Sequence, residues 1–349
     1  MTKEHINLLF VSGGFPKKGH FMKDSIDKLG YVNIDSTYRW NHEVTYYEDR
    51  RNLVEKISEK VGFPIDFHGA NRRIIEQVSK KRYDIIFVVK GNHIYPNTLN
   101  RVSKLSPKTK LVNWSHDNMF EEHNRSKFYA MNLEKYDLVF TTKSFNLDPD
   151  QLPSLGAKRI LFQNNSCFPY PYLNDLRRPE RFKYDVIFIG SAEKERFESL
   201  NYLAKHGIKI KIFGSGWDKK VYGDIHSNLD IEYRDLLEKD YFKAMLDSKI
   251  SLSFLRKINK DLQTLRTVEI PFCGAFMITE DTEEQNAMFE KDKEAVFFGS
   301  NIELLKKVRF YLKHENKREQ IARNGMLKAR NMFNMIDNAE EIIQSVSKL

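Results

Sequence analysis

The sequence predicts an α/β chain built from two doubly wound, Rossmann-like domains. Three observations predict it. Short β-branched runs alternate with amphipathic stretches from the start, the alternation stops once in a Pro-containing break, and it then restarts. Strands that read as continuous apolar runs are buried on both faces, as in a parallel sheet, and strand–helix repetition is the pattern of such a sheet. With 349 residues, 41% hydrophobic and 30% charged, the chain can bury two cores.

The first strand is expected at 6–11, followed by the turn Ser12-Gly13-Gly14-Phe15-Pro16 and a helix near 22–29. Further helices are expected near 71–81 and 97–104, with strands at 84–89, 110–114 and 137–141. Between about Asn164 and Lys183 three prolines occur without apolar periodicity, which marks a linker. The pattern resumes with a strand at 185–190, a helix over 193–205, and a strand at 208–213 that ends in Gly214-Ser215-Gly216. Strands at 250–254, 276–279 and 296–298 follow, with a helical C-terminus from Asn301. The expected division is an N-terminal domain over 1–170, a C-terminal domain over 183–330, and a terminal helix over 331–349 that packs back toward the first domain.

Composition excludes several classes of function. No run approaches the roughly 18 apolar residues that cross a bilayer. The start, Met1-Thr2-Lys3-Glu4-His5, lacks the basic, apolar and small-residue segments of a secretion signal, which predicts a cytoplasmic protein. Cys167 and Cys273 are too far apart for a CxxC pair and read as two buried thiols. Lys+Arg 57 against Asp+Glu 48 gives +9, and residues 1–180 hold 28 basic and 21 acidic residues, so +7 of the excess lies in the first half. Such a surface suits an anionic membrane, a phosphorylated substrate or nucleic acid, or serves solubility alone.

An open parallel sheet binds ligands at the carboxyl ends of its strands, beside helix N-termini whose free N–H groups suit phosphate. The cleft between two such domains is therefore the expected active site. The densest polar cluster runs from Asp261 through Arg266 and Glu269 to Gly274. Arg266 and Glu269, three apart on one helix face, form either a surface ion pair or a ligand site. In the second case the carboxylate accepts from ribose hydroxyls and the guanidinium pairs with phosphate. Gly214-Ser215-Gly216-Trp217 reads as an approach to a nucleotide base, or as an ordinary turn followed by a core tryptophan. In the N-terminal half, His116 and Asp117 end a strand, where they suit a base or a group that orients an acceptor hydroxyl, with a helix N-cap by Asp117 as the alternative. Lys90 and His93 end another strand, and His20 follows the Gly13-Gly14 turn. No GxxxxGK[ST], HExxH, GxSxG or DxD-plus-metal pattern occurs, and Asp148-Pro149-Asp150 sits in a loop, so no metal site is expected.

The run Arg266 to Gly274 resembles the R-x-x-E-(I/L)-x-x-C/A-G signature of glycosyltransferases related to the spore-maturation CgeB family, within the broad group-1 glycosyltransferases. Tyr184 to Ser191, Ile212 to Trp217, Lys249 to Phe254 and the tail Leu304 to Gly325 fall in that family's order. Asn113 to Asn118, His123 to Ser126 and Tyr136 to Ser144 resemble shorter N-terminal segments. The resemblance implies a GT-B fold with two domains facing across a cleft, the C-terminal one holding a nucleoside-diphosphate sugar and the N-terminal one the acceptor.

Carried over by residue, the resemblance implies that Glu269 holds the ribose and that Arg266 faces the diphosphate or sugar. Gly190 and Ser191 would allow close backbone approach to the diphosphate, with Lys194 and Arg196 as candidates for its β-phosphate. Asp261 stands where the wider pattern has the first glutamate of E-x7-E, and Gly13, Gly14 and His20 would face the acceptor side. It further implies metal-independent, retaining transfer with no tightly bound cofactor, and a UDP-sugar as donor. A lipid-linked surface-glycan precursor at the inner membrane face suits the basic half as acceptor. Three other readings stand beside it: glycosylation of DNA bases, a nucleotide-sugar epimerase, and a non-catalytic binding protein on the same fold.

Overall fold

The computed structural model describes residues 5–13, 20–40, 51–218, 222–223 and 225–349. Contacts divide the chain into two units, Met1–Asn164 with Met335–Leu349, and Asn165–Asn334. Each unit is a parallel sheet with helices, as the sequence predicts, but each has six strands where the sequence shows four in the first half and five in the second.

In the first unit, β1 (Ile6–Ser12), β2 (Val32–Tyr38), β3 (Ile85–Val89), β4 (Lys110–Ser115), β5 (Leu138–Thr141) and β6 (Ile160–Phe162) lie in the order β2-β1-β3-β4-β5-β6. Leu8, Leu9, Phe10, Ile86, Phe87 and Val112 are fully buried at its centre. Helices α1 (Phe21–Asp27), α2 (Leu53–Lys60), α3 (Ala70–Lys80), α4 (Pro96–Leu105) and α5 (Lys127–Asn132) connect the strands. Their starts are chemically marked. Asn52 and Glu55 form a reciprocal capping box on α2, Pro96 opens α4, and Ser126 caps α5. Asp66 accepts from the Ala70 and Asn71 amides at 3.0 and 2.7 Å, satisfying free N–H groups at the start of α3.

The second unit holds β7 (Tyr184–Ile189), β8 (Ile210–Phe213), β9 (Leu229–Glu232), β10 (Ser248–Ser253), β11 (Met277–Glu280) and β12 (Val296–Phe298) in the order β12-β11-β10-β7-β8-β9. Its helices are α6 (Lys194–Lys205), α7 (Glu238–Leu246), α8 (Leu265–Cys273), α9 (Glu283–Met288), α10 (Asn301–Lys313) and α11 (Glu315–Met332). Gly274, at φ 92°, ends α8 in the left-handed conformation that glycine adopts without a Cβ penalty. Arg318, 2% exposed, donates to the Tyr311 and Leu312 carbonyls and so satisfies the end of α10. Both cysteines are free and buried, and burial pushes the Cys273 thiol up to about 12.

The last helix, α12 (Met335–Ser347), lies in the first unit, where it packs on α1. There Asn338 donates to the Asn164 carbonyl at 3.2 Å. No helix among the described residues is long and apolar enough to cross a membrane.

Candidate active site

Both sheets contain a point where the strand order reverses, and ligands of open α/β sheets bind in the crevice such a reversal opens. In the second unit it lies between β7 and β10, whose chains leave toward opposite edges. In the first it lies between β1 and β3. The residues singled out in the sequence fall beside these two points.

At the second unit's switch point, Gly190 follows β7 directly and its amide donates to the Phe213 carbonyl at 2.9 Å. Gly214 follows β8 at φ 144°, and a Cβ there would stand 2.2 Å from the Gly190 carbonyl oxygen. Only glycine lets these loops run backbone against backbone. Trp217 is fully buried, and its indole N–H donates to the Gly190 carbonyl at 3.1 Å. It therefore supports the glycine loop from within the core instead of presenting a face to a base. Gly216 takes φ 84° on the way to it.

The two basic candidates after β7 separate. Ser191 and Lys194 are exposed, whereas Arg196 is buried and donates to the Ser191 and Phe254 carbonyls at 3.1 and 3.3 Å. Arg196 thus ties the end of β7 to the end of β10 across the crevice. Glu193 pairs with both Arg196 and Arg256, at 3.5 and 2.9 Å. The charges of Arg266, Arg256 and Asp261 all act on Arg196, so the loop after β10 and the start of α8 share this neighbourhood. Asp261 is buried in that loop, ahead of the helix, not in its first turn.

Arg266 and Glu269 stand on α8 and are joined through Tyr241 of α7. The Tyr241 hydroxyl donates to Glu269 Oε2 at 2.6 Å, and the Arg266 guanidinium lies over the Tyr241 ring at 5.3 Å. Burial pushes the Tyr241 phenol well above its ordinary value, so it stays a donor. Arg266 Nε is buried without a hydrogen-bond partner. Tyr241 thus bridges the two side chains that the sequence left as either a surface ion pair or a ligand site. Sequence reasoning missed Tyr241 because its position on α7 reads as an ordinary apolar one. It also missed Gln263, fully buried, which accepts from the Asn165 amide at 2.8 Å and donates to Glu284 at 2.8 Å.

In the first unit, Gly13, Lys90 and His116 each come at the carboxyl end of one of three adjacent strands, β1, β3 and β4. Gly14 lies outside the described residues. Lys90 takes φ 59°, uncommon for a residue with a side chain, and Asn113 donates to its carbonyl at 3.0 Å. Its Nζ pairs with Asp117 Oδ2 at 2.6 Å. Burial alone would raise the Asp117 carboxyl, but the Lys90 ammonium outweighs it and holds the group below the usual carboxylate range. Asp117 caps no helix; it is an ionised carboxylate just past the end of β4, paired with Lys90 at the end of β3.

His116 lies edge-on to Trp114, ring centroids 4.2 Å apart, and 5.4 Å from Phe21. His20 accepts from the Met22 amide at 3.3 Å as the N-cap of α1, and burial lowers its pKa to about 4. His93 is buried against Gly13, where a Cβ would meet its Nδ1 at 3.6 Å, and burial brings it likewise to about 4. Both rings are neutral near pH 7.

These two histidines make stability pH-dependent. In the unfolded chain they protonate below about pH 6.5 while the folded rings stay neutral to about 4, so the unfolded state binds more protons in between. Stability is expected to fall from about pH 6.5 toward 4, by up to about 1.4 kcal/mol per pH unit for each ring. Denaturant unfolding at pH 7 and pH 5 checks this, with His93→Asn reducing the drop. A pH-independent midpoint would show that the rings are not buried neutral.

Among the described residues, no group of three His, Cys, Asp or Glu side chains could hold a metal ion. Two doubly wound units, each with polar candidates beside a strand reversal, together with the structural matches below, give the chain the GT-B fold. Residues 194–344 match the glycosyl transferase-like family, which bears out the group-1 glycosyltransferase resemblance for the unit that carries Arg266 and Glu269. Solved structures share the whole fold. HepE from Anabaena, in complex with UDP and glucose, is 12% identical, with TM-score 0.62 over 99% of this chain and 100% of that one. Sucrose-phosphate synthase from Thermosynechococcus elongatus is 12% identical, with TM-score 0.66 over 99% of each chain. A glycosyltransferase from Rickettsia africae is 13% identical, with TM-score 0.64 over 99% of each. No curated protein matches the chain in sequence.

Proposed function

We propose that this protein is a metal-independent, retaining glycosyltransferase that moves a sugar from a UDP-sugar to an acceptor hydroxyl in surface glycan or glycolipid synthesis. The observation that carries the reading is the Arg266–Tyr241–Glu269 arrangement beside the switch point of the second sheet. Glu269 would accept from the ribose hydroxyls, and Arg266, whose Nε has no partner within the protein, would pair with the diphosphate. The narrow Gly190–Gly214 contact leaves backbone rather than side chains beside the phosphates. HepE, solved with UDP and glucose, supports UDP as the nucleotide.

In the reaction the bond between the anomeric carbon and the β-phosphate oxygen breaks, its electron pair stays on that oxygen, and the acceptor oxygen bonds to the same carbon. Negative charge grows on the diphosphate, and Arg266 with exposed Lys194 would stabilise it without a metal. Arg196, spent on two carbonyls, acts through the loop geometry. On the acceptor side, Asp117, kept ionised by Lys90, would accept the hydrogen bond of the attacking hydroxyl. Its lowered basicity suits orienting that hydroxyl, with the diphosphate oxygen taking the proton.

The test is turnover of a panel of nucleotide-sugars, with and without glycan and glycolipid acceptors. Wild type is expected to consume a UDP-sugar only with an acceptor present, and Asp117→Asn, by loosening the orientation of the acceptor hydroxyl, to lose about 100-fold in kcat with donor affinity unchanged. Donor converted without acceptor would favour an epimerase, and a donor bound but never consumed would favour a binding protein.

A further inference from the structure

The helix α2 of the first unit is turned inside out. Its buried residues are Glu55 and Ser58, while Leu53, Val54, Ile57 and Val61 beside it stand 73%, 54%, 53% and 55% exposed. These four recur at helical spacing and form one stripe facing solvent. The turn that follows adds Phe63, Ile65 and Phe67, again exposed. Single exposed apolar residues are ordinary, but this concentration within one short segment is the pattern of an interaction surface.

The charges of the same segment are sorted by direction. Glu55 is 2% exposed and faces Arg39 and His68, and Glu59 pairs with Arg39 at 2.6 Å. Asp66 is engaged by the start of α3. The exposed cations are Lys56 and Lys60 of α2, and Lys127, whose ammonium lies 4.9 Å from the Phe63 ring centre. Apolar side chains flanked by cations, with the carboxylates drawn inward, match a surface that is apolar at depth and anionic at its rim.

We propose that α2 and the turn after it dock this protein on an anionic lipid membrane. The stripe inserts at the boundary between headgroups and acyl chains, and Lys60 and Lys127 contact lipid phosphates. The proposal rests on the preceding reading only in that a docked first unit would meet a lipid-linked acceptor; binding itself needs no turnover.

The experiment is co-sedimentation of the full chain with vesicles of phosphatidylcholine, or of equal phosphatidylcholine and phosphatidylglycerol. Wild type is expected to bind the anionic vesicles and leave the neutral ones. The Leu53→Asp/Ile57→Asp variant, altered only at exposed positions, is expected to bind at least ~10-fold more weakly, and so is Lys60→Glu/Lys127→Glu. Melting temperature and UDP response, measured in parallel, should stay at wild-type values. Wild type that ignores anionic vesicles, or variants that bind them equally, would overturn the proposal. So would a wild-type dimer that leaves vesicles alone and dissociates on Leu53→Asp/Ile57→Asp, which would assign the face to a second copy. A missing UDP response with vesicle binding intact would count against the donor reading alone.

Discussion

Gly214→Ala is expected to destabilise the second unit by about 3 kcal/mol and to remove nucleotide binding with it. The new Cβ would meet the Gly190 carbonyl oxygen at 2.2 Å and its carbon at 2.7 Å, contacts with backbone that no rotamer change relieves. Gly214 also sits at φ 144°, where side chains are strained whatever the space. The damage would spread, because the Gly190 carbonyl also accepts from buried Trp217. Gly207→Ala is the control. That glycine has φ 87° but no atom within 4 Å of an added Cβ, so the cost there should be about 1 kcal/mol of backbone strain alone. Denaturant unfolding of the two variants separates them, and equal losses would mean that the Gly190–Gly214 contact is looser than the 2.2 Å approach requires.

Arg266→Ala is expected to lower kcat by about 100- to 1,000-fold, the scale on which preorganised charge stabilises a developing anion. Its guanidinium is held over the Tyr241 ring, so little reorganisation is needed when charge grows on the diphosphate. Arg266→Lys should recover little, since an ammonium can neither stack on the ring in the same way nor offer two parallel donors. Tyr241→Phe keeps the ring but removes the hydroxyl that holds Glu269, and should weaken donor binding more than it lowers kcat. Steady-state kinetics on the three variants reads the split. Full recovery by lysine would reduce Arg266 to a point charge.

The central strands and the alternation of both sheets were legible in the sequence, and the strands that escaped it share a place in the fold. Val32–Tyr38, Ile160–Phe162 and Leu229–Glu232 are all edge strands, with β2 and β6 closing the first sheet and β9 one side of the second. An edge strand is covered less completely, so its sequence need not be a continuous apolar run; Val32–Tyr38, with Asn33, Asp35 and Ser36, and Leu229–Glu232, with Asp230, have no such run, while Ile160–Phe162 is apolar but only three residues long. The candidate residues could be read from motif and strand end, but not their partners. Nothing in the sequence joins Tyr241 to Glu269, or Lys90 to Asp117, because each pair meets across separate elements. Trp217 shows the converse. It sits in a Gly-rich turn like a ligand-facing aromatic, yet folds back into the core.

The measurement that bears most directly on the donor site is a thermal-shift titration of wild type and Glu269→Ala with UDP, GDP, CMP, dTDP and ADP. A ligand that binds only the folded state raises the melting temperature with its concentration. The expected result is a shift with UDP that is lost in Glu269→Ala, while Asp117→Asn, altered in the other unit, keeps it. A UDP shift that survives Glu269→Ala, or no shift with any nucleotide in a folded protein, would contradict a donor site built on Arg266, Tyr241 and Glu269.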